Sequence, residues 1–390
     1  MAVLLGSKPP IIFKEYTLLA SQTWTAPATG TILVTCTGGG GQGAFCASAN
    51  DLNSSSKARG GGGGGFSQKT IPVKAQDTFT VVIGAGGRSS NTAPNSTTSG
   101  TSGGESTVDD ATAISSIALD SNGGVGGAAV AQSNTGTLAG GAGGTASGGD
   151  LNVAGGAGGA IVISNASSKD VATGGGSASV YGIPFAGGAA TIGGNAEAGV
   201  ATGGAGSFGT GGSFVQNGSN DTFVGGTQGG GPAKSGASFV TADMGTSNAG
   251  QNGTSYNVNP FSLNNSLGSA WPLGKHSTID GPKSTNSGSN NGANSPQSSQ
   301  GAGSSGQQAS LSGGTDYVLN GNGAGAFGGG GATICRRANS AGGTNATNAL
   351  SNNGQGGIGG GGSGGITIQA NVGVDWKGGG QGVVIIAYIG

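Results

Sequence analysis

The sequence predicts a mainly β protein with almost no α-helix. Its expected parts are an antiparallel, sandwich-like body formed by N- and C-terminal strands, and a large glycine-rich insertion packed as polyglycine or polyproline-II helices with long loops. Three observations carry this expectation. Glycine supplies 93 of 390 residues, against a usual share of roughly 7%. The glycines gather in doublets, as in Gly140 to Gly159, GGAGGTASGGDLNVAGGAGG. β-branched and apolar runs stand near both ends, Thr31-Ile-Leu-Val-Thr-Cys-Thr37 and Val383-Val-Ile-Ile-Ala-Tyr-Ile389.

The glycine blocks cannot be α-helical, because each glycine costs about 1 kcal/mol relative to alanine. They are also poor strands, since glycine gives nothing to pack. Two outcomes remain. One is a flexible linker. The other is a bundle of helices with three residues per turn, packed so closely that only glycine fits at the contacts. Such helices have no internal hydrogen bonds, so their N–H and C=O groups must pair with neighbouring helices. Linkers are monotonous, whereas these blocks are separated by short segments bearing Val, Ile, Leu and Phe; that favours the bundle. Collagen is excluded, because glycine does not fall strictly every third residue and proline numbers only 11.

Hydrophobic residues make up 33% and charged residues 7%. Scarce charge argues against ordinary disorder, which combines low hydrophobicity with high net charge. The net charge is −1 and the 14 Lys and Arg are scattered, so no basic stripe for nucleic acid is expected. No apolar run reaches the length of about 18 residues that a membrane helix needs. The opening MAVLLGSKPPIIF lacks a basic segment and a long apolar core, so a cleaved signal peptide is not expected. Cys36, Cys46 and Cys335 are too few for a disulfide framework, though one bridge stays open; buried free thiols in a protein made in a reducing cytoplasm are the simpler reading. With the single histidine His276 and no Cys-x-x-Cys spacing, neither a metal site nor a cofactor is expected.

In chain order, residues 1–20 read as an N-terminal arm that docks onto a partner, or as a plain first strand. Residues 21–90 with 366–390 form the β-rich body. Within it Thr31 to Thr37 is stopped by Gly38 to Gly41, a strand followed by a breaker. Phe66 to Val73 and Thr78 to Ile83 read as two strands of an antiparallel meander, and the apolar C-terminal run as a strand buried on both faces or paired in a sandwich core. Residues 91–365 are the glycine-rich region, interrupted by apolar islands such as Ile161 to Ile163. Between about 233 and 311 the doublets nearly vanish. A long patternless segment of this kind is a functional loop or disordered.

At the ends the residues resemble a family. Trp24, Pro27, Ile32-Leu-Val and Gly38-Gly-Gly-Gly-Gln-Gly43 resemble the start of the glycine-rich domain of bacteriophage tail-fibre and tail-tip proteins. So do Gly60 to Gly65, the strand after them and Thr80-Val-Val-Ile-Gly-Ala-Gly-Gly87; the ending Gly-Gly-Gln-Gly-Val-Val-Ile-Ile-Ala-Tyr resembles that family's closing strand. This covers about the first 90 and last 25 residues. The middle is similar, more loosely, to the polyglycine-II sandwich of distal adhesins on the long tail fibres of T-even-like phages, which hold receptor-binding loops on a bundle of glycine helices. The resemblance implies a place in the virion tail and host recognition.

Catalysis finds little support. Gly-x-Gly-x-x-Gly matches arise by chance in this composition, and none joins a strand to an amphipathic helix. Leu273-Gly-Lys-His276 lacks the first glycine of a P-loop and has His where Ser or Thr is needed. Glycoside hydrolysis needs two positioned carboxylates, and Asp109–Asp110 is the only adjacent acidic pair. A Ser–His–Asp triad would have to use His276, in a Ser/Gly/Pro-rich stretch.

Phe66, Phe79, Phe185 and Phe327 read as core plugs or caps over helix ends. Tyr256, Phe261, Trp271 and His276 lie in the least regular segment and are the receptor-contact candidates, since rigid aromatics offer large contact area; local loop packing is the alternative. The expectation is a non-enzymatic virion protein, a tail-fibre or tail-tip adhesin that binds a host outer-membrane protein or polysaccharide. Its N-terminal region would meet other tail or fibre proteins, and it could form homo-oligomers. A purely structural virion component is the first alternative. A depolymerase is more remote, as is an ice-binding polyglycine-helix protein, which needs a flat regular Thr/Ala face that the irregular spacers count against.

Overall fold

A computed structural model describes residues 12–48, 56–88, 97–110, 117–131, 136–164, 169–178, 184–193, 198–206, 209–216, 223–226, 239–241, 286–287, 306–310, 317–321, 328–330, 333–336, 356–368 and 378–389. Among these residues there is no helix; the chain is strands in five sheets joined by glycine segments.

Two of the sheets form an antiparallel sandwich, here called the proximal layer. The first runs in the order Ile12–Leu18, Val383–Ile389, Gly30–Thr37, Phe66–Val73, Leu151–Val153. The second runs Ala146–Ser147, Ala118–Ser121, Ser106–Asp110, Thr78–Val82, Gln22–Thr25. Alternation sets the faces: Ile32, Val34 and Cys36 point inward from one sheet, and Phe79, Val81, Val108 and Leu119 from the other, with Ile71, Val384 and Ile386 completing one core. Trp24 closes it at the far end, 5.7 Å from the Phe79 ring and 5.6 Å edge-on from Tyr16. Val383–Ile389 lies between two partners, with Ile386 opposite both Tyr16 and Val34, and residues of both its alternating sets are buried, Val384 and Ile386 in one and Val383 and Ala387 in the other, which accounts for its unbroken apolar character. From Ile12 onward the N-terminal segment is a strand of this sandwich.

Phe66–Val73 and Thr78–Val82 do not form a meander. The first pairs with Gly30–Thr37, the second with Gln22–Thr25 and Ser106–Asp110, so the turn between them crosses from sheet to sheet. Both strands carry an inward apolar set, Ile71 with Val73 and Phe79 with Val81. Facing sheets let both sets fill one core. The turn is closed by the Lys74 N–H donating to Asp77 Oδ2 at 2.7 Å, with Gln76 in the left-handed region at φ 74°.

Beyond the sandwich the glycine blocks pass side by side, and their hydrogen bonds follow a three-residue period. Gly38, Gly41 and Ala44 donate to Gly65, Gly62 and Arg59. Gly39 and Gln42 donate instead to Gly104 and Thr101, and Gly40 to Gly380. Successive N–H groups thus point to three different neighbours, as in a helix with three residues per turn and no internal bonds. The segment Arg59 to Gly65 is fully surrounded. It donates to Ala128, Val125 and Asn122, to Gly362 and Gly359, and to Gly156, while accepting from Gly41, Gly141 and Gly176 among others. Six neighbours around one segment make a polyglycine-type lattice. Glycine is required there sterically: a methyl on Gly61 would lie 2.2 Å from Gly41 O, and one on Gly64 2.1 Å from Gly38 O.

Where lattice meets sandwich, a small polar network is buried. Ser67 Oγ and Ser121 Oγ are 2.9 Å apart, Ser121 Oγ donates to Cys36 O at 3.0 Å, and Cys36 Sγ donates to Ser106 O at 3.3 Å. Cys36 is a buried free thiol; Cys46 is also buried, and its Sγ donates to Lys57 O at 3.5 Å. Burial, with smaller contributions from Asp120 and Glu105, pushes the Cys36 thiol from 9.0 up to about 12, against the opposing hydrogen bonds of Ser121 and Ser67. The folded thiol therefore keeps its proton to higher pH than the unfolded one. Its stabilising effect is complete below pH 9 and is lost as pH climbs towards 12. A thiol reagent at pH 8 should leave Cys36 unlabelled in the folded protein and label it once urea is added, with Cys36→Ser identifying the signal.

Candidate functional site

The lattice segments run from the proximal sandwich to a second, distal β layer. Gly30–Thr37 leads through Gly38 to Gly43 into Phe45–Ser48, and Ser56–Ala58 leads back through Gly60 to Gly65 into Phe66–Val73. The distal layer holds three sheets. One is ordered Ala129–Ala131, Ser56–Ala58, Lys169–Ala172, Ala198–Ala201, Phe223–Gly226. The next is Gly136–Leu138, Ile161–Ile163, Ala190–Ile192, Phe214–Gln216, Phe239–Thr241. The third runs from Asn286–Ser287 through Gly306–Ser310, Tyr317–Gly321, Thr333–Arg336, Gly365–Ile368 and Phe45–Ser48 to Thr97–Thr98. Ile161, Ile163, Val171, Ala190, Ile192, Val200 and Phe214 form a core between the first two.

Much of the pairing here is parallel: Ile161, Ala190, Phe214 and Phe239 stand in one row, and Val171, Val200 and Gly225 in another. The chain makes successive circuits through the lattice and re-enters the layer in the same direction. A sequence signal for this exists in Val171-Ala-Thr-Gly-Gly175 and Val200-Ala-Thr-Gly-Gly204, and the sequence reading did not use it. The two threonines repeat one role. Thr173 Oγ1 accepts from the Gly60 N–H at 3.0 Å and donates to Gly159 O at 2.7 Å; Thr202 Oγ1 accepts from the Gly174 N–H at 3.1 Å and donates to Gly188 O. Each hydroxyl bridges three strands of backbone at the lattice end. Thr173→Val should cost about 1–3 kcal/mol, because it strands a buried N–H, whereas Thr173→Ser should recover most of that in urea unfolding.

Arg59 ties the same boundary: Nε donates to Ala128 O at 2.9 Å and Nη1 donates to Ala139 O. Partial burial draws its pKa below the ordinary value. Among the described residues no group of three His, Cys, Asp or Glu is placed to hold a metal ion.

Six of the connections that leave or re-enter the distal layer share a chemistry. Residues 49–55, 89–96, 132–135, 165–168, 194–197 and 217–222 read ANDLNSS, SSNTAPNS, QSNT, NASS, GNAE and NGSNDT. They hold three carboxylates, Asp51, Glu197 and Asp221, and no Lys or Arg. Asn, Ser and Thr dominate, giving neutral donors and acceptors.

Tyr256, Phe261, Trp271 and His276 lie outside the described residues. The described strands on either side of their segment, Phe239–Thr241 and Asn286–Ser287, both belong to the distal layer. Trp376, which the sequence reading did not single out as a contact residue, stands in the connection 369–377 between distal Gly365–Ile368 and the lattice segment that begins at Gly378. Of the expected plugs, Phe66 and Phe79 are buried, Phe185 is half-buried, and Phe327 lies outside the described residues.

No curated protein matches the sequence. Residues 17–260 match the glycine-rich domain family, and the chain belongs to that family.

Proposed function

We propose that this protein is a non-catalytic bacteriophage tail-fibre or tail-tip adhesin that binds a host surface receptor through the distal end of its glycine lattice. One observation carries the reading: the Asn/Ser/Thr-rich connections, and the segment bearing Tyr256, Phe261, Trp271 and His276, each adjoin a distal strand on at least one side, while Ile12–Leu18 and Val383–Ile389 pair with each other in the proximal sandwich. Such a division of labour suits a stiff scaffold that is anchored at one end and presents variable segments at the other. The resemblance of both chain ends to phage tail proteins supports the same role, and membership of the glycine-rich domain family is compatible with it.

The mechanism is passive. A lattice whose backbone groups are fixed by neighbours holds the distal strands, and so the points where the contact segments leave and return, at fixed spacing, which limits the ordering cost of binding. Neutral donors and aromatic side chains would contact an outer-membrane protein or polysaccharide by hydrogen bonds and apolar burial, so adsorption should depend only weakly on salt. Several copies on one virion would add avidity to modest single sites. Deleting Asn252 to Ser277 should abolish binding to host cells while leaving the circular dichroism and unfolding transition in place; full binding by that variant would refute the assignment of the contact segment.

A further inference from the structure

We infer that residues 378–389 form a separable closing strap, and that the slot they fill is a binding site for a strand of this sequence, joined to the chain or offered as a free peptide. The slot has two halves. In the sandwich, Val383 to Ile389 pair one for one with Thr37 to Thr31 on one side and with Ile12–Leu18 on the other. Among the described residues Ile12–Leu18 pairs with no other strand. In the lattice, Gly379, Gly380 and Gly382 donate to Gly87, Gly360 and Gly84, while Gly380, Gly378 and Gln381 accept from Gly40, Gly356 and Gly359. The strap is thus bonded along its whole length, and every partner belongs to another part of the chain.

Most of the slot is built without the strap. Gly30–Thr37 is held on its far side by Phe66–Val73, and the second proximal sheet takes no strand from residues 378–389. The lattice segments that line the slot are bonded to each other or to the surrounded segment: Gly87 donates to Gly40 O, Gly39 to Gly104 O and Gly64 to Gly359 O. A preformed slot leaves the ordering cost chiefly with the incoming strand. Strand addition then takes affinity from main-chain bonds and specificity from the side chains on either face.

Both halves read sequence. A Cβ on Gly379 would meet Gly40 O, and one on Gly380 would meet Gly357 O, backbone atoms that no rotamer change moves aside. Val384 and Ile386 enter the core beside Ile32, Val34 and Cys36, while Val383 and Ala387 are buried on the opposite side. At the far end the Tyr388 hydroxyl donates to Ala28 O at 3.0 Å. Between Gly378 and Ile389 only Gln381 is exposed. The ligand is therefore three glycines, one free position, a fourth glycine and an apolar strand. An empty slot would leave Gly30–Thr37 as an unpaired apolar edge, which favours its being filled.

A protease recognition sequence placed at residues 371–375 of the full chain, and cut after folding, tests this. The strap fragment should stay with the rest of the protein through gel filtration, with an unchanged circular dichroism spectrum. After the pieces are separated in urea and the urea is removed, the larger one should regain its cooperative unfolding transition when a synthetic peptide of residues 378–390 is added. Peptides carrying Gly380→Ala or Ile386→Glu should bind at least roughly tenfold more weakly. Hydrogen exchange on the uncut chain gives a second reading that needs no separated piece. Amides of Val383–Ile389 and Ile12–Leu18 should exchange together and ahead of those of Val81 and Val108 in the second sheet. Loss of the strap from the folded, cut protein overturns the inference. So does equal binding of the Ile386→Glu peptide, or exchange of both sheets as one unit.

Discussion

Gly62→Ala is expected to cost about 4 kcal/mol or more, and so to remove a large part of the stability of an ordinary domain. Gly62 sits in the surrounded lattice segment, and a methyl there would lie 2.0 Å from Ala142 O and 2.4 Å from its carbonyl carbon. Both are backbone atoms, which no rotamer change can move. Relief requires this segment to separate from the one holding Ala142, and separation breaks the bonds from the Gly141 N–H to Gly60 O and from the Gly144 N–H to Gly63 O. Overpacking of about 1–3 kcal/mol is then joined by buried backbone groups left unpaired, at about 1–3 kcal/mol each. A lone methyl is ordinarily harmless or stabilising in a flexible linker. The sign of this one substitution, read from urea unfolding, therefore separates a packed lattice from a loose glycine tract. Ala157→Ser, at an exposed position of the lattice, is the matched control and should fall within about 0.5 kcal/mol of the unaltered protein.

Phe79→Ala should cost about 3–5 kcal/mol. The ring is 2% exposed, packs against Trp24 and belongs to the core shared by the two proximal sheets. The surrounding backbone is held by pairing to Trp24 on one side and Asp110 on the other, so the site cannot collapse to fill the cavity. Leu151→Ala, at 41% exposure on the edge of the same sandwich, should change little. Equal losses from both substitutions would mean that the sandwich core is placed wrongly.

The ends of the chain were the most legible part. Thr31 to Thr37 and Val383 to Ile389 combine β-branched residues with glycine stops, and strands of that kind announce themselves locally. The glycine lattice was legible in kind and not in detail. Doublets with Ala or Ser spacers indicate close packing, yet the partner of Gly40 is Gly380, and nothing local to either residue encodes that distance. The same limit explains the mistaken meander: Phe66–Val73 and Thr78–Val82 are adjacent in sequence and each alternates correctly, and alternation does not say whether two strands share a sheet or face each other across a core. The parallel rows of the distal layer were hidden for a related reason. Val171 and Val200 sit in matching five-residue stretches, while Ile161, Ala190 and Phe214 occupy equivalent positions with no resemblance. The candidate contact residues rested on aromatic content within an irregular segment; the structure adds the distal strands on either side of that segment.

Binding of the purified full-length protein to whole bacterial cells, with circular dichroism recorded on the same sample, tests the central claim most directly. The adhesin reading predicts saturable binding to a susceptible host, little change with added salt, and a polyproline-II-like spectrum. A folded protein with that spectrum which binds no susceptible cell would contradict it and would leave a structural place in the virion as the better account.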